Sequence, residues 1–327
     1  MFTLNFQNIS TSQIVNELKS KGYFVFEQAL TEQYVEELLL DIDFNHILVN
    51  NNDVGVVIAY NQKFLTHCLV SSKKAYDIIT CQKVLDICNE YFSDSYKLTN
   101  HRIYQTSKIS HMPWHTDNNR QAGKQLVSKH NMPGLLFLFY LSDVTKNPFQ
   151  YLKDSHKWSH KYSHEIYLSD RFIDNNYKQD ILTFMMKKGS LILCDIHGVH
   201  RAEPFQDNRY TRTTLLFQVD QVGNDNAGHG EKNIVNTEYI DNPTQEVMDY
   251  LGFGFKREYP AFPCTSVATM TPEDILKIQK QLLPLTLQAL AKSLATFLLP
   301  GKVKINAKRL LWHLKSSRSK ISKLFRK

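Results

Sequence analysis

Cysteine is scarce in this chain and badly placed for bridging. The five residues, Cys68, Cys81, Cys88, Cys194 and Cys264, are odd in number and scattered, with no Cys-x-x-Cys pair. That argues against a disulfide framework or a zinc ribbon and suits a reducing compartment, the cytoplasm. The first 14 residues lack a basic start followed by a long apolar run, so no secretory signal is read. Internal repeats are missing too. Acidic residues are absent from the end of the chain: residues 302–327 hold ten Lys and Arg and no Asp or Glu. The formal charge of +7 is therefore uneven, because the remainder has 29 basic against 32 acidic residues. A mildly acidic body carries a strongly basic tail.

What is present is a chain of 327 residues, 42% of them hydrophobic, enough to bury a full core in one elaborated domain. Ser10 or Thr11 caps a helix through Leu18, with Gly22 as its stop. Tyr23 to Phe26 reads as a buried strand, Thr31 to about Asp41 as a helix, and Lys73 to Tyr91 as another helical stretch. From Leu98 the pattern turns to strands: Asn100–Gln105, Met112–Thr116, Leu135–Leu141, Ile181–Met186, Leu191–Cys194 and Thr213–Val219. Two long loops, Asn118–Asn131 and Lys146–Lys178, read as lids or binding segments, their charge serving either solvation or anion recognition. Short strands without helices between them predict a mainly β fold with flanking helices, a double-stranded β-helix (jelly roll). The expected organisation is an N-terminal helix and strand region (1–97), the jelly-roll core (98–222), a partly helical extension (223–300) and the basic tail (301–327).

The run Pro113-Trp114-His115-Thr116-Asp117 carries the chemistry. Side chains alternate along a strand, so His-x-Asp puts an imidazole and a carboxylate on one side and Trp114 on the other, in the core. With a second imidazole, such a pair caps one face of an octahedral metal and leaves the other face open. Beginning at Gly189 the chain reads Gly-Ser-Leu-Ile-Leu-Cys-Asp-Ile-His-Gly-Val-His-Arg-Ala, followed by Arg209 and Arg212. It holds two candidate imidazoles, His197 and His200. Strand spacing and the following Arg-Ala favour His200.

Together these blocks resemble the phytanoyl-CoA dioxygenase family of Fe(II)/2-oxoglutarate oxygenases. Trp114-His115-Thr116-Asp117 is similar to its Trp-His-x-Asp. Tyr140 to Val144 and Ser155-His156-Lys157 are similar to the strand and Ser-His-Lys segment between the ligands. The run from Gly189 to His200 is similar to the strand carrying the distal His. Residue by residue, the resemblance implies His115, Asp117 and His200 as Fe(II) ligands and Arg212 as the anchor of 2-oxoglutarate, with O2 as second cosubstrate. Arg212 shares a strand face with Thr214, Leu216 and Gln218, whereas its rival Arg209 sits in the preceding turn. The sequence departs from the family at Lys146-Asn147-Pro148, Asp154 and Ser190, all at turns. Asp117 also separates this chain from related halogenases, which have a small residue there.

The implied activity is oxidation, with hydroxylation expected, of a small or carrier-linked metabolite, with release of succinate and CO2. A catalytically silent jelly-roll binding protein is the rival class, disfavoured because three ligands and a candidate anchor occur together. A nucleic-acid-directed dioxygenase ranks lower because no nucleic-acid module accompanies the basic tail, and no nucleic-acid partner is expected. His156, His160 and His164 recur at helical spacing, yet without the acidic or cysteine partners of a second metal site.

Near the C-terminus, Leu283, Leu287, Leu290, Leu294 and Phe297 recur at helical spacing after the start signal Thr271-Pro272-Glu273-Asp274. The plainest expectation is a helix packed on the body. Pro284 and Lys292 argue against a membrane span. Cations interleaved with Leu310, Leu311, Trp312, Leu314 and Phe325 make peripheral contact with a membrane surface the sharper reading of the tail, beside the plain one of a solvated extension.

Overall fold

A computed structural model describes residues 1–42, 56–59, 62–65, 68–107, 113–117, 133–158, 167–205, 207, 209–221, 233–253 and 272–298. The chain divides into two compact units, residues 1–255 and 256–327.

The first unit is built on twelve strands among the described residues: β1 (Tyr23–Phe26), β2 (Val56–Ala59), β3 (Gln62–Leu65), β4 (Tyr96–Thr106), β5 (Trp114–His115), β6 (Gly134–Tyr140), β7 (Phe149–Leu152), β8 (Tyr167–Leu168), β9 (Ile181–Phe184), β10 (Leu191–Asp195), β11 (His200–Ala202) and β12 (Arg212–Gln221). They form a seven-stranded sheet, β1-β10-β6-β12-β4-β3-β2, and a five-stranded sheet, β8-β5-β11-β7-β9. Every neighbouring pair is antiparallel.

The large sheet is covered on both faces, which explains why β6 is an unbroken apolar run. Leu135, Phe137 and Phe139 join the core beneath the helices, while Leu136, Leu138 and Tyr140 point into the space between the sheets. β10 and β12 divide the same way. Leu193 and Phe217 face the helices, and Cys194 and Leu216 face inward, where Phe149 and Tyr151 of the small sheet meet them. Phe137 stacks on Phe217 with centroids 4.6 Å apart. Each such buried ring contributes about 1.5–3 kcal/mol. The far face of the small sheet packs Trp114, Leu152 and Leu168 against Ile173 of the helix Asp170–Asn176.

The N-terminal helix Thr11–Lys21 begins where the Ser10 side chain accepts from the Gln13 amide and ends at Gly22 in the left-handed region, φ 81°. Its residues Ile14, Val15 and Leu18 are buried. β1 then pairs with β10, so this region extends the larger sheet.

One expectation needs correction and others gain detail. The stretch from Lys73 to Tyr91 is two helices, Lys73–Ile79 and Gln82–Tyr91. Thr80 ends the first by donating its hydroxyl to the Tyr76 carbonyl at 2.8 Å, and extended Cys81 starts the second. The segment Lys146–Lys178, expected as a loop, contains β7, β8 and the helix Asp170–Asn176. These elements are too short, and too crowded by Lys, His and Asp, to show a period. The short strands β2 and β3 were not anticipated, and the strand expected from Gly189 to His200 is two, β10 and β11. The segment 118–131, His160, His164, most of the connector 223–233 and the tail 301–327 lie outside the described residues.

Gly22 generates a stability prediction. A Cβ there would lie 2.3 Å from His156 Nδ1 and 2.4 Å from the Tyr151 hydroxyl, on backbone that L-residues rarely adopt. Gly22→Ala should cost about 1–3 kcal/mol. Urea denaturation checks this, and an unchanged midpoint would contradict it.

Candidate metal centre

The site is assembled by pairing in the small sheet. β5 and β11 are antiparallel neighbours with His115 opposite His200, so the two imidazoles leave one face side by side, ring centroids 4.5 Å apart. Asp117 lies two residues beyond His115, on the same side, and its amide donates to the Ile196 carbonyl at 3.2 Å. His200 Nε2 stands 3.5 Å from Asp117 Oδ2. One ligand atom from each of the three residues lies within 4.8 Å of the others. His200 is buried, while His115 and Asp117 are half-buried.

Both rings are oriented by the same local device. His115 Nδ1 faces the Pro113 carbonyl at 2.9 Å, and His200 Nδ1 faces the Gly198 carbonyl at 3.0 Å. A carbonyl only accepts, so each Nδ1 carries the proton and each Nε2 keeps its lone pair for a cation. Phe149 packs along His200, centroids 5.2 Å apart. The donor set, two neutral imidazoles and a carboxylate on one side, fits Fe(II) with an open opposite face. Cys194 lines the same interior, but burial first and the Asp117 charge second hold its thiol well above the ordinary range. It does not join the cluster of His115, Asp117 and His200.

The turn leading to His200 is held from two directions. From the helix side, Asp195 Oδ1 accepts from the His197 amide at 2.8 Å and faces His197 Nδ1 at 2.7 Å, while Oδ2 accepts from the Tyr91 hydroxyl at 2.9 Å. Its own carbonyl accepts from the Gly198 amide at 3.0 Å. Burial pushes the Asp195 carboxyl up, but the His197 contacts and the Tyr91 hydroxyl outweigh it and hold the group below the usual range. From the small sheet, Ser155 Oγ accepts from the Val199 amide at 2.7 Å and donates to the Leu152 carbonyl at 2.6 Å. Gly198 must lack a side chain, since a Cβ would fall 2.0 Å from the Tyr151 hydroxyl.

His197 thus turns toward Asp195 and stands outside the cluster that His200 joins. The two arginines separate just as clearly. The Arg209 side chain is 94% exposed beside Asp207, whereas Arg212 is 1% exposed inside the barrel. There Arg212 donates to the Asn147 carbonyl and, at 3.4 Å, to the Tyr104 hydroxyl, with its charge near the Tyr104 and Tyr140 rings. Its Nε has no partner, and among the described residues no carboxylate pairs with it. A buried guanidinium without a counter-charge is costly, and an incoming carboxylate would relieve that cost.

The model of the phytanoyl-CoA dioxygenase family, PhyH, matches residues 18–213. This chain belongs to the phytanoyl-CoA dioxygenase family. It is a non-haem Fe/2-oxoglutarate-dependent oxygenase with Fe and 2-oxoglutarate as its cofactors. Two solved structures share the fold at low identity. The epimerase SnoN, in complex with Fe3+, α-ketoglutarate and nogalamycin RO, is 13% identical over 65% of this chain and 84% of that one, TM-score 0.50. SnoK, a non-haem α-ketoglutarate-dependent carbocyclase from nogalamycin biosynthesis, is 14% identical over 66% of this chain and 86% of that one, TM-score 0.51. No curated protein matches the sequence. The expected jelly roll with flanking helices is the fold observed.

Sequence reasoning missed the supporting residues. Ser155 was visible within Ser-His-Lys but without a role, and Asp195 and Tyr91 carried no signal because their partners are remote in sequence. Outer groups that orient metal ligands typically matter by 10–100-fold in affinity. Asp195→Asn, which keeps the volume and removes the charge, should weaken Fe(II) binding about tenfold. Anaerobic titration monitored alongside circular dichroism checks this; a folded variant with native affinity would remove Asp195 from the supporting set.

Proposed function

We propose that this PhyH-family enzyme hydroxylates a small or carrier-linked metabolite, with His115, Asp117 and His200 holding Fe(II) and Arg212 anchoring 2-oxoglutarate. The observation that carries the reading is the convergence of the two imidazoles and the carboxylate within 4.8 Å. When bound, the iron couples O2 and 2-oxoglutarate to substrate oxidation, giving succinate, CO2 and the hydroxylated product.

The protein's own groups set up this chemistry. The Pro113 and Gly198 carbonyls keep His115 and His200 in the tautomer that presents Nε2. With Asp117 ionised, the loaded centre carries a charge of about +1, suited to a chelating keto acid. Arg212 offers a planar fork whose geometry matches the far carboxylate, and its unpartnered Nε supports that role. Phe149 and Leu216 keep water from the inner wall.

A cytoplasmic location is part of the proposal, supported by the free state of Cys68, Cys81, Cys88 and Cys194. Peripheral membrane contact through the basic tail is its other part, supported by the ten cations of residues 302–327.

Replacing His115 or Asp117 with Ala should abolish tight Fe(II) binding, because two donors cannot cap the face of an octahedron. His197→Ala should bind iron nearly normally. Unchanged affinity in His115→Ala, by the same titration, would sink the ligand assignment. For the cosubstrate, Arg212→Ala should raise the 2-oxoglutarate concentration needed for half-maximal succinate formation by about tenfold or more, as expected for a lost charge-assisted pair. Arg209→Ala should leave it near native. The reverse order of severity would make Arg209 the anchor.

A further inference from the structure

The second compact unit has one described element, the helix Pro272–Leu298. Leucines on one face of it are exposed. Leu276, Leu283, Leu287, Leu290 and Leu294 are 55%, 60%, 57%, 56% and 52% accessible. At 3.6 residues per turn these five fall within about 60° of arc, on a helix about 40 Å long. Leu282 and Leu285 lie off the stripe, on either side of Pro284. Exposed Lys280 borders it.

A stripe of this length needs an occupant. No described helix is long and apolar enough to cross a membrane. The charge on the page selects among the remaining choices. Four residues after the helix ends, the chain enters residues 302–327, ten cations with no acid, interleaved with Leu310, Leu311, Trp312, Leu314 and Phe325. Two copies joined in parallel along the stripe would bring two such tails together, which like-charge repulsion opposes, and an antiparallel pair would leave both tails without a counter-charge. An anionic surface attracts the same charges while its acyl boundary accepts the leucines.

We propose that the helix Pro272–Leu298 docks on an anionic phospholipid surface with its leucine stripe inserted and its axis in the plane of the membrane. This rests on the peripheral-contact reading of the basic tail and adds a second element to it. The tail supplies the long-range attraction, which salt screens over about 8 Å at physiological strength. The stripe supplies the salt-resistant part. Neither alone holds firmly, in line with the two-signal requirement for stable membrane anchoring.

Vesicle co-sedimentation of the full chain tests this, using phosphatidylcholine vesicles with and without phosphatidylserine. The full chain should bind the anionic vesicles about tenfold or more tightly than the neutral ones, and less as salt is raised. The variant Leu283→Gln/Leu287→Gln/Leu290→Gln should lose about tenfold in binding with Fe(II) affinity unchanged, the latter confirming that the enzyme body is folded. Truncation after Pro300 should remove the dependence on lipid charge. If truncation abolishes binding but the triple variant binds as the full chain does, the tail reading stands and the helix inference falls. If the full chain ignores both vesicle types, both fall. A dimer in light scattering that the triple variant converts to monomer would assign the stripe to a second copy and overturn the lipid assignment. Binding to duplex DNA without binding to vesicles would overturn it too. Should the triple variant fail to fold, the comparison of neutral and anionic vesicles at two salt concentrations still decides against the inference when binding is equal throughout.

Discussion

The site depends on one pairing, His115 opposite His200 across β5 and β11. Strand side chains repeat every two residues, so a slip by one position would point one imidazole into the barrel and send the other into the outer layer with Trp114. Several contacts specify this register. β11 is also fixed by β7, with Tyr151 opposite His200 and Phe149 opposite Ala202. Trp114, fully buried on the far face, lies under the Arg201 guanidinium at 4.2 Å, so the residues next to the two histidines lock the same pair from behind. Each strand thus presents a candidate metal ligand on one face and an anchor on the other.

Around that pairing the protein places charges where packing would usually forbid them. Asp195 is tolerated because His197, Tyr91 and the backbone amide at 197 satisfy it. Arg212 is only partly satisfied, by a backbone carbonyl and a tyrosine hydroxyl. The contrast is informative. The satisfied carboxylate lies on the helix side of the large sheet, where it stiffens the turn before His200. The incompletely satisfied cation lies between the sheets. Under the proposed anchoring role, burial that costs stability in the unloaded protein would become binding selectivity when a carboxylate arrives.

Much of this was legible in the sequence, and for physical reasons. His115-x-Asp117 shares a strand face by geometry alone, and β6, β10 and β12 announce themselves as apolar runs because both their faces are covered. Gly22 marked its helix end because only glycine sits easily at positive φ. What stayed hidden depends on contacts between distant residues. β7 was read as loop because four residues amid Lys, His and Asp show no usable period. Asp195 acquires its role only when Tyr91, more than a hundred positions away, meets it. The leucine stripe was legible as a helix face, since period reports which face is apolar and says nothing of what covers it.

The most direct test of the central claim is anomalous diffraction at the iron edge, on crystals grown anaerobically with Fe(II) and 2-oxoglutarate. The account predicts a single strong peak within bonding distance of His115 Nε2, Asp117 and His200 Nε2, with the far carboxylate of 2-oxoglutarate against Arg212. A peak at His197 and Asp195, or iron bound without one of the three residues, would contradict it.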